Sequence, residues 1–361
     1  MTSVRAAAKE LSRRHELAME LMMLRNRMMH PEESVRLGRT FTPRATDVFV
    51  VTYPKCGTTW MTQVVHSIRS ACSMDFGEIT EECPWDVMAM VCDQDLDADH
   101  TPHPFRVFKS HESYSDVAKA AAGSPQSKYI YVARDPLDAF LSFYKFLPAY
   151  QGLRDGDIDI EHFCDAIFGG ASLAGGIWAH YEGWWKRRED PNVLWVFFED
   201  MKEDLPAVVR AVANFVDAPE YATDASKTER VAAHASFSFM SAPANRSHFD
   251  DHFCYEKSRA IRGVPDGTSF TVGKVRAGGG KAGGGRAAIP PAIVARLEAR
   301  WQTTLTPATG LASYAELRAA LSPLGRTVER STVEELAAAK AAGVAAAAAL
   351  SPDPVVDAEQ T

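Results

Sequence analysis

The 361-residue chain has no apolar run approaching ~18 residues, the length that a membrane-spanning helix needs. A secretory signal is missing too, because the opening MTSVRAAAKELSRRHELAME is charged throughout and contains no apolar core segment. Glu10, Glu16 and Glu20 also count against an organelle transit peptide. None of the six cysteines stands in a CxxC or CxxH pair, so no zinc site and no disulfide frame is expected. Such scattered thiols read as reduced, and the expected location is cytoplasmic. Cationic excess is lacking as well: 39 Lys and Arg face 47 Asp and Glu, a net charge of −8. That balance excludes a general nucleic-acid binder and confines any anionic ligand to a local basic site. No carboxylate cluster calls for a metal, and none is expected.

The chain does contain a core. Hydrophobic residues make up 46%, which excludes global disorder. Val48–Thr52 is a short, continuous apolar run of the kind found in buried parallel strands, and a helical pattern through Trp60, Val64, Val65, Ile68 and Ala71 follows it. The unit recurs. Phe105–Phe108, Lys128–Val132 and Val193–Phe198 read as strands. Helices are expected from Pro136 to about Phe146, over Ile177–Trp185, and from about Leu205 to Val216. This alternation predicts an α/β fold: a single domain with a central parallel sheet flanked by helices, with helical extensions at both ends. The divisions expected are a Met-rich helical leader over 1–40, the domain over 41–325, and an Ala-rich helix and tail over 326–361. Residues 273–286 (GKVRAGGGKAGGGR) break the pattern with seven glycines among basic residues.

Tyr53-Pro54-Lys55-Cys56-Gly57-Thr58-Thr59-Trp60 carries the most chemistry. A strand feeds a short loop, which feeds a helix. The first N–H groups of that helix have no intrahelical partner, and its dipole favours an anion there. Gly57 permits close backbone approach, Thr58 and Thr59 offer hydroxyls, and Lys55 offers charge. A nucleotide kinase is disfavoured, because a Walker A loop reads GxxxxGK(S/T) and here Lys55 precedes the glycine.

This octet resembles the YPKSGTTW phosphosulfate loop of the cytosolic sulfotransferases, which use 3′-phosphoadenosine 5′-phosphosulfate (PAPS), with Cys56 in place of serine. Lys109-Ser110-His111 resembles the family's Lys-Thr-His, which makes His111 the expected general base. Lys55 and Lys109 are then expected to stabilise the transferring group. Arg134 to Ser142 resembles the 3′-phosphate motif, and an arginine fork suits a phosphate. Phe198 stands where the family's adenine-positioning tyrosine would be, so that hydrogen bond is expected to be absent. Ser236-Phe237 with Met240 resembles an adenine-contacting segment, opposite Trp60; the alternative reading is that Phe237 and Met240 are plain core. Arg276, Ala277 and Gly278 correspond to a closing Arg-Lys-Gly loop, with alanine replacing the lysine.

The resemblance covers about residues 45–305 and implies a P-loop-like sulfotransferase fold, with PAPS as co-substrate and a small-molecule acceptor. It places Pro84, Trp85 and Phe146 near the acceptor, whose aromatic walls suit a largely apolar alcohol or amine. The family's dimer motif is not evident, so the oligomeric state stays open. Cys56, at a helix N-terminus beside Lys55, is expected to have a lowered pKa. The alternatives are a catalytically inactive module that binds PAPS or its product PAP and, at more distance, a nucleotide kinase.

Overall fold

The computed structural model describes residues 2–268 and 283–324. Helices α1 (Thr2–Met28) and α2 (Glu32–Thr40) precede the first strand, with Pro31 at the N-cap of α2. Four strands follow: β1 (Val48–Thr52), β2 (Val107–Ser110), β3 (Lys128–Ala133) and β4 (Val193–Phe197). All pair in parallel, in the order β2-β1-β3-β4. Helices cover both faces, so the strands are buried on both sides and read as continuous apolar runs. One face packs Phe49, Tyr129, Tyr131, Trp195 and Phe197 with residues of the helices Ile177–Trp185 and Pro291–Thr309. The other packs Val48, Val50, Ile130, Val132 and Val196 with residues of α3 (Thr58–Arg69) and the helices Leu205–Phe215 and Ala225–His234.

The chain leaves β1 for β2 on one side and then crosses to β3 on the other. A crevice therefore opens at the carboxyl end of β1, where open α/β sheets hold ligands. Loops after all four strands reach this end of the sheet.

Three boundaries differ from the sequence expectation. β2 begins two residues later than expected, because Arg106 is used before the strand: its guanidinium grips Asp47 at 2.8 and 2.6 Å in the interior. Lys109 and Ser110 therefore lie within the strand. The helix after β3 stops at Tyr144, and a separate turn runs Leu147–Tyr150. Pro148 has no N–H with which to continue the first helix. Phe198 belongs not to β4 but to the helix Phe198–Glu203.

α1 packs on the domain through one side. Met19 and Met22 join the first core, and Met29, just past its end, packs with Trp85 and Phe146. Arg25 donates to the Gln151 carbonyl at 2.6 Å. The expectations for Arg276, Ala277 and Gly278, and for 326–361, fall outside the described residues.

Candidate active site

A cavity of about 460 Å³ lies at the carboxyl end of the sheet. It is lined by residues following each of the four strands: Lys55 after β1, His111 after β2, Arg134 after β3 and Phe198 after β4.

The loop after β1 turns sharply. Lys55 has φ 69° and Gly57 has φ 106°, both in the left-handed region. At Gly57 any Cβ would lie 2.9 Å from the Phe198 ring, so this position needs glycine twice over. The alternation sends neighbouring side chains in opposite directions. Lys55 extends over the Phe146 ring, with Nζ 3.6 Å from its centroid. Cys56 instead points into the core, with Sγ 4.0 Å from the Tyr181 hydroxyl. Burial pushes its thiol up to about 12. This reverses the expectation of a lowered pKa, and Cys56 is not among the residues lining the cavity. Thr58, Thr59 and Trp60 do line it. The Trp60 indole is fixed by a 2.6 Å hydrogen bond to the Ala235 carbonyl and stands edge-on to Phe198.

His111 follows β2, beside the end of β1. Its Nδ1 is 2.9 Å from the Thr52 carbonyl oxygen. A carbonyl can only accept, so Nδ1 carries the proton and Nε2 of the neutral ring carries the lone pair. The Trp85 indole stands edge-on to the imidazole, with centroids 5.1 Å apart. The same indole carries Lys109, whose Nζ is 4.0 Å from the ring and 3.6 Å from the Asp251 carboxylate. Pro84 contributes through its backbone: its carbonyl accepts the Lys109 N–H at 2.8 Å, extending the parallel pairing of β2. Its side chain is not part of the lining, whereas Trp85 and Phe146 are.

Arg134 is buried over the Phe198 ring, 4.2 Å from its centroid, and donates to the Lys55 carbonyl at 2.9 Å. Its Nε is buried without a hydrogen-bond partner among the described residues. An unmatched guanidinium donor in a wall with Lys55 suits an anion. Ser142, two turns along the helix from Pro136, lines the same cavity. Phe237 is 46% exposed, so it is not core, while Met240 is buried. Phe237 lines the cavity as well. These residues fit a nucleotide carrying phosphates at both ends: an anion-receptive helix start, the cations Lys55, Lys109 and Arg134, and the aromatic rings of Trp60, Phe198 and Phe237.

Several lining residues had no signal in the motifs. Asn26, Met29 and His30 come from the end of α1 and the turn after it. Asp251 reaches Lys109 from a left-handed position (φ 73°) that no motif marks. Asp138 accepts from the backbone N–H groups of Gly283 and Gly285 at 2.8 and 2.6 Å, anchoring the end of the glycine-rich segment. The cluster with metal-ligand spacing among the described residues, His15, Asp159 and His162, lies outside the cavity lining.

Residues 45–261 match the family described as the sulfotransferase domain. The chain is 32% identical over 183 residues to the amine sulfotransferase of Oryctolagus cuniculus, an alignment covering 49% of this chain and 58% of that protein. It is 29% identical over 226 residues to the luciferin sulfotransferase of Photinus pyralis, covering 56% and 58%. The aligned part thus spans a little over half the length of these relatives. Among solved structures, mouse sulfotransferase SULT7A1 complexed with PAP superposes with a TM-score of 0.55 at 21% identity, covering 80% of this chain and 95% of that one. Retinol dehydratase in a complex with retinol and PAP gives 0.55 at 18% identity, covering 76% and 86%. At these identities the two structures bear on the fold.

Proposed function

The chain belongs to the sulfotransferase family, and on that premise we propose that it moves a sulfuryl group from PAPS to a hydroxyl or amine of a small, largely apolar acceptor. The observation that carries this reading is the meeting, in one cavity, of a proton acceptor just after β2 with cations from three distant segments: His111 with Lys55, Lys109 and Arg134. PAP in the structures of similar fold supports PAPS as the donor.

PAPS supplies an activated sulfuryl group bonded to a phosphate leaving group. The helix start at Thr58 and Thr59 receives the 5′-phosphosulfate, and Lys55 stabilises charge gathering on the bridging oxygen. Arg134 and Ser142 take the 3′-phosphate, a group that ATP lacks. Trp60, Phe198 and Phe237 surround the adenine. The acceptor lies against Trp85 and Phe146, and Nε2 of His111 removes its proton as the new bond to sulfur forms. Lys109, held over Trp85, steadies the transferring group. Most of this is positioning and electrostatics.

The test is direct. The full-length protein is incubated with PAPS and a panel of phenols, aliphatic alcohols and arylamines, and the products are examined for a mass gain of SO₃ together with release of PAP. Sulfonated product supports the reading. PAP binding without product across the panel would favour an inactive binding module, and transfer of labelled phosphate from ATP would favour a kinase.

A further inference from the structure

The family match begins at residue 45, yet the cavity is lined in part by residues that precede it. Asn26, Met29 and His30 line it, and His30 stands edge-on to Trp85 with centroids 5.4 Å apart. That indole is the one that meets the His111 ring at 5.1 Å. Two imidazoles, one from the leader and one from the residue after β2, therefore flank a single tryptophan.

Their protonation is set in the same way. His30 Nδ1 is 2.8 Å from the Asn26 carbonyl oxygen, so it donates there and leaves a lone pair on Nε2. Burial lowers the His30 pKa to about 4, and the nearby positive charges of Lys109 and Arg262 push the same way, so the ring is neutral at physiological pH. Nε2 is buried with no hydrogen-bond partner among the described residues, and so is the Trp85 Nε1–H. His30 and Trp85 both line the cavity, and their contacting rings carry an unmatched acceptor and an unmatched donor buried just behind its wall. Leaving such atoms unpaired is costly, and native structures rarely do so without a partner to come. A hydroxyl both donates and accepts, so it matches the pair; an ammonium has no lone pair to offer Trp85, and an ether has no proton to offer His30.

We propose that the leader is part of the acceptor site, and that His30, with Trp85, recognises a second hydroxyl on the acceptor. The ligand class is a rigid, largely apolar body with a hydroxyl at each end, one directed at His111 and the other at His30. The inference rests on the sulfuryl-transfer reading only for which hydroxyl reacts; recognition by His30 is a matter of binding.

The experiment measures binding rather than turnover. Full-length protein saturated with PAP is titrated with naphthalene-2,6-diol and with naphthalen-2-ol, which share one apolar body and differ by one hydroxyl. The wild type is expected to bind the diol about 10-fold or more tightly than the mono-ol. His30→Phe keeps an aromatic edge against Trp85 and removes the acceptor, so it should bind both compounds alike with PAP affinity unchanged. His30→Gln, which restores an acceptor oxygen, should recover part of the preference. Equal binding of the two compounds by the wild type overturns the proposal, and so does a preference that survives in His30→Phe. If His30→Phe fails to fold, shown by loss of PAP binding, the wild-type ratio and the His30→Gln ratio decide. Failure of the sulfuryl-transfer reading would look different: the binding preference would stand while neither compound is sulfonated from PAPS.

Discussion

His111 donates its Nδ1 proton to the Thr52 carbonyl across 2.9 Å, from one strand end to its neighbour. The tautomer of the proposed base is thus written into the pairing of β1 and β2. His111→Ala should lower turnover by about 100-fold or more, the range of a lost general base, while PAP affinity stays within a few-fold of wild type. Turnover and PAP titration on one preparation provide the check; near-normal turnover would remove His111 from the role.

Arg134 presents a fork over Phe198 and braces the Lys55 carbonyl. Arg134→Lys keeps the charge and loses the fork. Affinity for PAP should fall by about 10-fold or more, while affinity for ADP, which has no 3′-phosphate, should change little. An equal loss for both nucleotides would mean that Arg134 acts by holding the loop instead.

All six cysteines are buried free thiols, and burial holds Cys56 near 12. A thiol reagent added to native protein at pH 7.5 should therefore find no fast-reacting cysteine, with or without PAP, and all six should react once the chain is unfolded. One rapid thiol that PAP protects would contradict the inward placement of Cys56.

Burial also holds His30, His66, His100 and His180 neutral, with pKa values lowered to about 4, 3, 4 and 4. In the unfolded chain these rings take protons near pH 6.5. The unfolded state thus binds more protons at these four rings between pH 6.5 and 4, which lowers stability as pH drops through that window, while the buried Asp86 carboxyl, pushed up to about 8, contributes the opposite slope. Each fully neutral ring contributes a slope on the order of 1 kcal/mol per pH unit. Imidazole NMR signals of the native protein, followed from pH 7.5 to 5.0, should show these four rings staying unprotonated; a ring among them that takes its proton near pH 6.5 would contradict its burial.

The strand ends were legible because each is signalled locally. An apolar run followed by Lys-Cys-Gly-Thr-Thr, by Lys-Ser-His or by Arg-Asp-Pro marks a strand and the chemistry after it within twelve residues. The direction of Cys56 was not legible, because it depends on the two left-handed residues around it rather than on the helix dipole. Asp251 and His30 were hidden for another reason. Asp251 is 142 positions from Lys109 in the chain, and His30 is 55 from Trp85, and no periodicity reports a meeting between segments so far apart. The start of β2 was misplaced because Arg106 reads as a strand residue until its fork on Asp47 is seen.

The register of β2 on β1 has a consequence for how this site can change. Val50 pairs with Lys109 and Val51 with Ser110, so Lys109 shares a sheet face with Val107, while Phe108 faces the opposite core. One residue inserted between Val107 and Lys109 would turn the lysine toward Phe49 and Tyr129 and bring the residue before it into its place. Two inserted residues would restore the face but carry Lys109 and His111 about 6.6 Å along the strand, out of their present register with β1. Lengths of loops elsewhere can drift, but this stretch behaves as a fixed ruler: variation there is confined to substitution, and a single-codon insertion is silenced by geometry before chemistry is reached.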